Sequence, residues 1–130
     1  MTTKPASVLP PAWYQALPKV ELHRHLEGSL RLFYRTPEII ARVTREAVQD
    51  AAADHVEYLE LRFTPIALGR ERGFSLAEVM DWVCENAGMA NQQAGIKMGL
   101  IVSVNRHEPV AVAEEVARLA VERIDRKSVV

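Results

Sequence analysis

Lys19-Val20-Glu21-Leu22-His23-Arg24-His25-Leu26 is the stretch on which the fold turns. Its length and its alternation of apolar and polar residues predict a β-strand. Strict period two places Val20, Leu22, Arg24 and Leu26 on one face and Glu21, His23 and His25 on the other. Glu27-Gly28-Ser29 then breaks the strand. A second run, Val56-Glu57-Tyr58-Leu59-Glu60-Leu61-Arg62-Phe63, repeats the design and is ended by Thr64-Pro65. Leu59, Leu61 and Phe63 share one of its faces; Tyr58, Glu60 and Arg62 share the other.

Helices are expected between these strands. Thr36-Pro37-Glu38 is a helix start: a capping hydroxyl, a proline suited to the first helical position, and an acid at the positive end of the dipole. Ile39, Ile40, Val43, Ala47 and Ala51 follow at helical spacing. Ser75-Leu76-Ala77-Glu78 fits a capping box for a helix running to about Ala94, with Gly95 as its stop. Ile96–Val104 is the third predicted strand, and Val110–Arg126, after Pro109, the third long helix. Ser128-Val129-Val130 is expected to open a fourth strand. Residues 1–18 hold four of the seven prolines and predict an irregular lead-in, with one helical turn at Ala12–Leu17. Gly69 and Gly73 read as loop punctuation, and Cys84 as a small core residue in the middle of a helix.

The order strand, helix, strand, helix, strand, helix, strand implies a parallel sheet with crossover helices. Two architectures compete. A doubly wound open sheet needs strands that are apolar on both faces. Here one face of the first two strands carries Glu21, His23, His25, Glu60 and Arg62. Polar groups gathered on one side fit the interior of a (β/α)8 barrel near its mouth, with Glu60 and Arg62 paired inside. Such a barrel takes ~250 residues, so 130 residues amount to about its first half.

Composition narrows the function. Seventeen acidic and sixteen basic side chains, interspersed, leave no footprint for nucleic acid or an anionic membrane. The single cysteine rules out an internal disulfide and suits a reducing compartment. No stretch approaches the roughly 20 apolar residues of a membrane span. No apolar run follows Met1-Thr2-Thr3-Lys4-Pro5, so a cytoplasmic location is the plain expectation. Cys-x-x-Cys, His-Glu-x-x-His and a glycine-rich phosphate loop are all missing, which excludes the cysteine-ligated base deaminases and the helical metalloprotease site.

His23 and His25, spaced i, i+2 on a strand, project to the same side. That arrangement gives a metal two ligands from one rigid element, near the strand end where barrel active sites lie. It serves equally a pair of hydrogen-bonded or solvent-facing histidines, and spacing alone does not choose. Arg106 and His107 end the third strand on the same side and read first as loop anchors, with a substrate-side role as the alternative. His55 falls at the opposite end, as a surface residue.

Leu17 to Arg31, read as Leu-Pro-Lys-Val-Glu-Leu-His-Arg-His-Leu-Glu-Gly-Ser-Leu-Arg, resembles the opening signature of the adenosine deaminases of the amidohydrolase superfamily. The stretches Ala51–Asp54, Tyr58–Pro65 and Gly95–His107 resemble later parts of the same family, so the likeness runs from about residue 13 to the C-terminus. The resemblance implies a metallo-dependent hydrolase barrel holding one Zn2+, with His23 and His25 as ligands. It implies that His25 and Glu27 also lie close to the ribose hydroxyls of a purine nucleoside. The reaction implied is hydrolytic replacement of the 6-amino group of adenosine or deoxyadenosine, releasing ammonia. The family's other ligands, a histidine and an aspartate, and its general acid/base glutamate and histidine come from later strands and match nothing here.

Two departures stand out. Arg31-Leu32-Phe33-Tyr34-Arg35 spans a gap that holds several tens of residues in the family, so residues 1–130 are expected to form one barrel part with a shortened segment at about 31–34. The chain is also expected to be less than the whole working enzyme. A close rival changes the substrate to adenine or another 6-aminopurine. A rival of another class is a non-catalytic half barrel acting as an oligomer or interaction module, and the sequence leaves the oligomeric state open.

Overall fold

The computed structural model describes residues 11–26 and 33–126. A short helix α1 (Pro11–Ala16) leads into strand β1 (Lys19–His25). Helix α2 (Pro37–Ala53), strand β2 (Val56–Phe63) and a short helix α3 (Pro65–Gly69) follow. After a 3-10 turn at Arg70–Arg72 come helix α4 (Leu76–Ala94), strand β3 (Lys97–Val102) and helix α5 (Val110–Arg126). The expected break at Glu27-Gly28-Ser29 and the fourth strand at Ser128-Val129-Val130 lie outside the described residues.

The local signals act as their chemistry requires. Thr36 caps α2 by accepting from the Ile39 amide at 3.2 Å, with Pro37 in the first turn. Ser75 and Glu78 close a full capping box on α4: Ser75 Oγ accepts from the Glu78 amide at 3.2 Å and the Glu78 carboxylate from the Ser75 amide at 3.0 Å. Gly95 ends α4 in the left-handed conformation, φ 67°. Helix α3 and the 3-10 turn were not expected from the sequence. Pro65, read as the stop of a strand, also opens a helix. Gly69 is more than punctuation: a Cβ there would meet the Phe74 carbonyl oxygen at 2.8 Å, so the chain can reverse tightly only at a glycine. Third-strand pairing is shorter than expected, and Asn91 Oδ1 takes the Ile96 amide at 3.1 Å just before it.

The three strands are parallel in the order β1-β2-β3. Leu59, Leu61 and Phe63 are fully buried. They share one core cluster with Ile40, Val48 and Ala51 of α2, Val79, Met80, Val83 and Ala87 of α4, and Val116 and Leu119 of α5. Each such apolar side chain contributes about 1.5–3 kcal/mol on burial. Exposed helix ion pairs such as Arg42–Glu46 contribute about 0–1 kcal/mol, so the core sets the fold. Cys84 is half-buried and outside this cluster, a correction to its expected place.

Helices α2, α4 and α5 thus join a single core on the Leu59–Phe63 face, and Tyr58, Glu60 and Arg62 are only partly covered on the other. Crossover helices that stay on one side of a parallel sheet describe an arc of a (β/α)8 barrel rather than a doubly wound sheet. The sheet is open, so the arc is part of a barrel and not a closed one.

Candidate functional site

Barrel chemistry gathers where the strands end at their C-termini. Here that end brings together His23 and His25 of β1, Arg62 of β2, and the residues just beyond β2 and β3.

Strand β1 does not keep strict alternation. Glu21 pairs with Leu59 and Arg24 with Leu61, so three steps along β1 match two along β2. Leu22 and His23 therefore form a one-residue bulge, and His23 takes φ 66°. A non-glycine residue there costs roughly 1–2 kcal/mol. The bulge re-sorts the faces. Glu21, expected beside the histidines, moves to the Leu59 side, where its carboxylate accepts from Arg24 Nη1 at 2.9 Å. Val20, expected on the face of Arg24, pairs instead with Tyr58, and Val20 and Leu22 are 64% and 60% exposed. The slip leaves the histidines together: their ring centres lie 4.8 Å apart with planes at 64°.

Arg62 completes the cluster. Its Nη1 lies 2.7 Å from His23 Nε2. A guanidinium only donates, so Nε2 accepts and the His23 ring proton sits on Nδ1. The expected pairing of Glu60 with Arg62 does not form: Glu60 Oε1 instead accepts from the Tyr58 hydroxyl at 3.0 Å. That bond to the carboxylate, with desolvation and the nearby negative charge, raises the Tyr58 phenol above its ordinary pKa. Arg62 Nε is buried without a hydrogen-bond partner, leaving the guanidinium partly unsatisfied.

Polar ties close the strand ends. The hydroxyls of Thr64 and Ser103 lie 2.8 Å apart, and the Ser103 amide donates to the Phe63 carbonyl at 3.0 Å. The loop after β3 is tied to the turn after β2 by the Arg70–Glu108 ion pair, and His107 Nε2 lies 3.3 Å from the same Glu108 carboxylate. Arg106 and His107 are exposed, and the residue that ties this loop to another element is Glu108 rather than either of them. His55 is an exposed turn residue at the far end of β2, as expected. Glu27 falls outside the described residues. Sequence reading missed the Arg62–His23 contact, because it follows from the bulge, and missed Glu108, which sits in a short loop without periodicity.

The donor set can be tested against zinc. Two imidazoles sharing a tetrahedral ion, each ring centre roughly 3 Å from it, lie about 5 Å apart, and the observed 4.8 Å agrees. Two such ligands are half of a tetrahedral set. Among the described residues no group of three or more histidine, cysteine, aspartate or glutamate side chains is placed to hold a metal.

An open arc of parallel α/β barrel, with His23 and His25 together at the C-terminal end of its first strand, defines the fold class. Comparison with known proteins narrows it. The adenosine deaminase family model matches residues 31–130, which leaves out the histidine strand. A probable adenosine deaminase of Dictyostelium discoideum is 31% identical over 150 aligned positions, covering 79% of this chain and 19% of that protein. An adenosine deaminase of Clostridium botulinum is 28% identical, covering 81% of this chain and 46% of that one. Among solved structures, Arabidopsis ADAL in complex with GMP aligns with TM-score 0.71 and 26% identity over 88% of this chain and 48% of its own. A zinc-bound amidohydrolase from Burkholderia ambifaria, at 24% identity and TM-score 0.70, covers 83% of this chain and 41% of its own, and shares the fold. The chain belongs to the adenosine deaminase family, and it spans less than half the length of these relatives.

Proposed function

We propose that this chain is the first-strand side of a zinc-dependent aminohydrolase that converts adenosine or deoxyadenosine to inosine or deoxyinosine and ammonia. The observation that carries the reading is the His23–His25 pair, 4.8 Å between ring centres, at the C-terminal end of a barrel strand. His23 and His25 would hold the ion through ring nitrogens. When bound, zinc supplies a Lewis acid that makes water nucleophilic near neutral pH. His25 and Glu27 would bind the ribose hydroxyls, a carboxylate being a natural acceptor for them. The remaining ligands and the general acid/base come from polypeptide beyond what this chain supplies. The Clostridium alignment covers only 81% of the chain yet runs over 152 positions, more than the chain's 130 residues, so that relative carries residues this chain lacks, in keeping with a segment shortened at about 31–34.

A second reading keeps the chemistry and changes the substrate to a nucleotide or a free 6-aminopurine. It is favoured by neighbours described as ADAL with GMP and as an N6-methyl-AMP deaminase, both 26% identical.

The test is loss of purine ultraviolet absorbance with ammonia release, run on adenosine, adenine and AMP with zinc present. Turnover of adenosine, abolished by His25→Ala, is the expected result for a polypeptide that includes this segment and the later strands. Turnover of AMP or adenine alone moves the substrate and keeps the metal chemistry. No turnover by folded, zinc-loaded protein would favour the non-catalytic half barrel.

A further inference from the structure

We propose that Arg62 is a positioning residue that competes with the metal for His23, so that its guanidinium sets how tightly this strand takes up a divalent cation. The inference rests on the metal reading above and extends it to a residue outside the ligand set.

Three observations meet at one place. His23 Nε2 accepts from Arg62 Nη1 at 2.7 Å. His23 is held at φ 66° in a bulge, which brings its ring to the Arg62 side of the sheet. Arg62 Nε is buried and unpartnered, so the guanidinium is a fork with unused donors. One nitrogen lone pair cannot accept from a guanidinium and bind a metal together. Uptake of an ion at Nε2 therefore requires Arg62 to let go. The released guanidinium has Glu60 on its own face, two residues back along β2, to receive it. Until then the contact keeps the His23 ring in the tautomer whose Nε2 is unprotonated, which is the form a metal takes. Arg62 thus orients the ligand and opposes its use, both by hydrogen bonding and by its positive charge.

The experiment has two arms, both on the full 130-residue chain. In the first, long-range 1H–15N correlation spectra of the metal-stripped protein report the His23 tautomer. Wild type is expected to show Nδ1–H with Nε2 unprotonated, and Arg62→Met a shift toward Nε2–H. An Nε2–H tautomer in wild type overturns the contact. In the second arm, Zn2+ is titrated against a chromophoric chelator. Arg62→Met is expected to bind about ten- to a hundredfold more tightly than wild type, the worth of one charged hydrogen bond removed from competition. Arg62→Lys, which keeps the charge and loses the fork, is expected to fall between, and it replaces the methionine variant if that one does not fold. Equal or weaker binding by the folded variants overturns the proposal. The expected tautomer change without zinc uptake by any of the folded proteins overturns the exchange while leaving the Arg62–His23 contact in place, and the metal reading of the longer polypeptide is decided separately by the turnover assay above.

Discussion

The two faces of strand β2 are built from alternate residues of one octapeptide and live by different rules. Leu59, Leu61 and Phe63 are sealed under three helices with no exposure at all. Tyr58, Glu60 and Arg62 meet a thinner environment, where each polar group takes whichever partner is within reach. The covered face is fixed by volume, and a missing methylene is felt at once. The open face is fixed by hydrogen-bond partners that can be exchanged. Stability is concentrated on the first and chemistry on the second.

Substitutions can break or sharpen that contrast. The largest effect is expected from Phe63→Ala, which empties a fully buried site in the core. It should cost about 3–5 kcal/mol in denaturant unfolding, enough to leave a part-barrel largely unfolded. Gly69→Ala comes next. Its new methyl group would sit 2.8 Å from the Phe74 carbonyl, a backbone atom that cannot step aside cheaply. A loss of about 1–3 kcal/mol is expected from the same measurement.

The smallest effect belongs to the open face. Glu60→Gln removes the carboxylate that raises the Tyr58 phenol. The Tyr58 titration, followed by tyrosinate absorbance, should move down toward the ordinary tyrosine value, with little change in the unfolding midpoint. The sign follows from charge: a nearby anion and a hydrogen bond to the neutral phenol both oppose tyrosinate, and both weaken in the variant. A shift upward, or a large loss of stability, would erase the distinction between the faces.

The same contrast explains what the sequence could reveal. Thr36, Ser75 with Glu78, and Gly95 act on amides within a few residues, so their roles were readable in advance and the structure bears them out. Alternation along β2 was readable for the same reason. β1 defeated that reading because its bulge is a matter of register against β2, and no residue in Lys19–His25 announces it. Val20 and Glu21 were therefore placed wrongly, although the histidines came together. Helix α3 is five residues long, too short for periodicity to show. The Arg62–His23 contact needed two strands to be in place before it could be seen.

Among the described strands, β2 is bonded along both sides and β1 along one. A strand joined to its sheet by a single ladder opens at lower free energy than one laced in twice. The histidines thus lie on a strand paired once among the described strands, and Arg62 on one paired twice. A ligand held by His23 and Arg62 together would bridge the β1–β2 ladder, adding a side-chain tie to the backbone bonds that join these two strands.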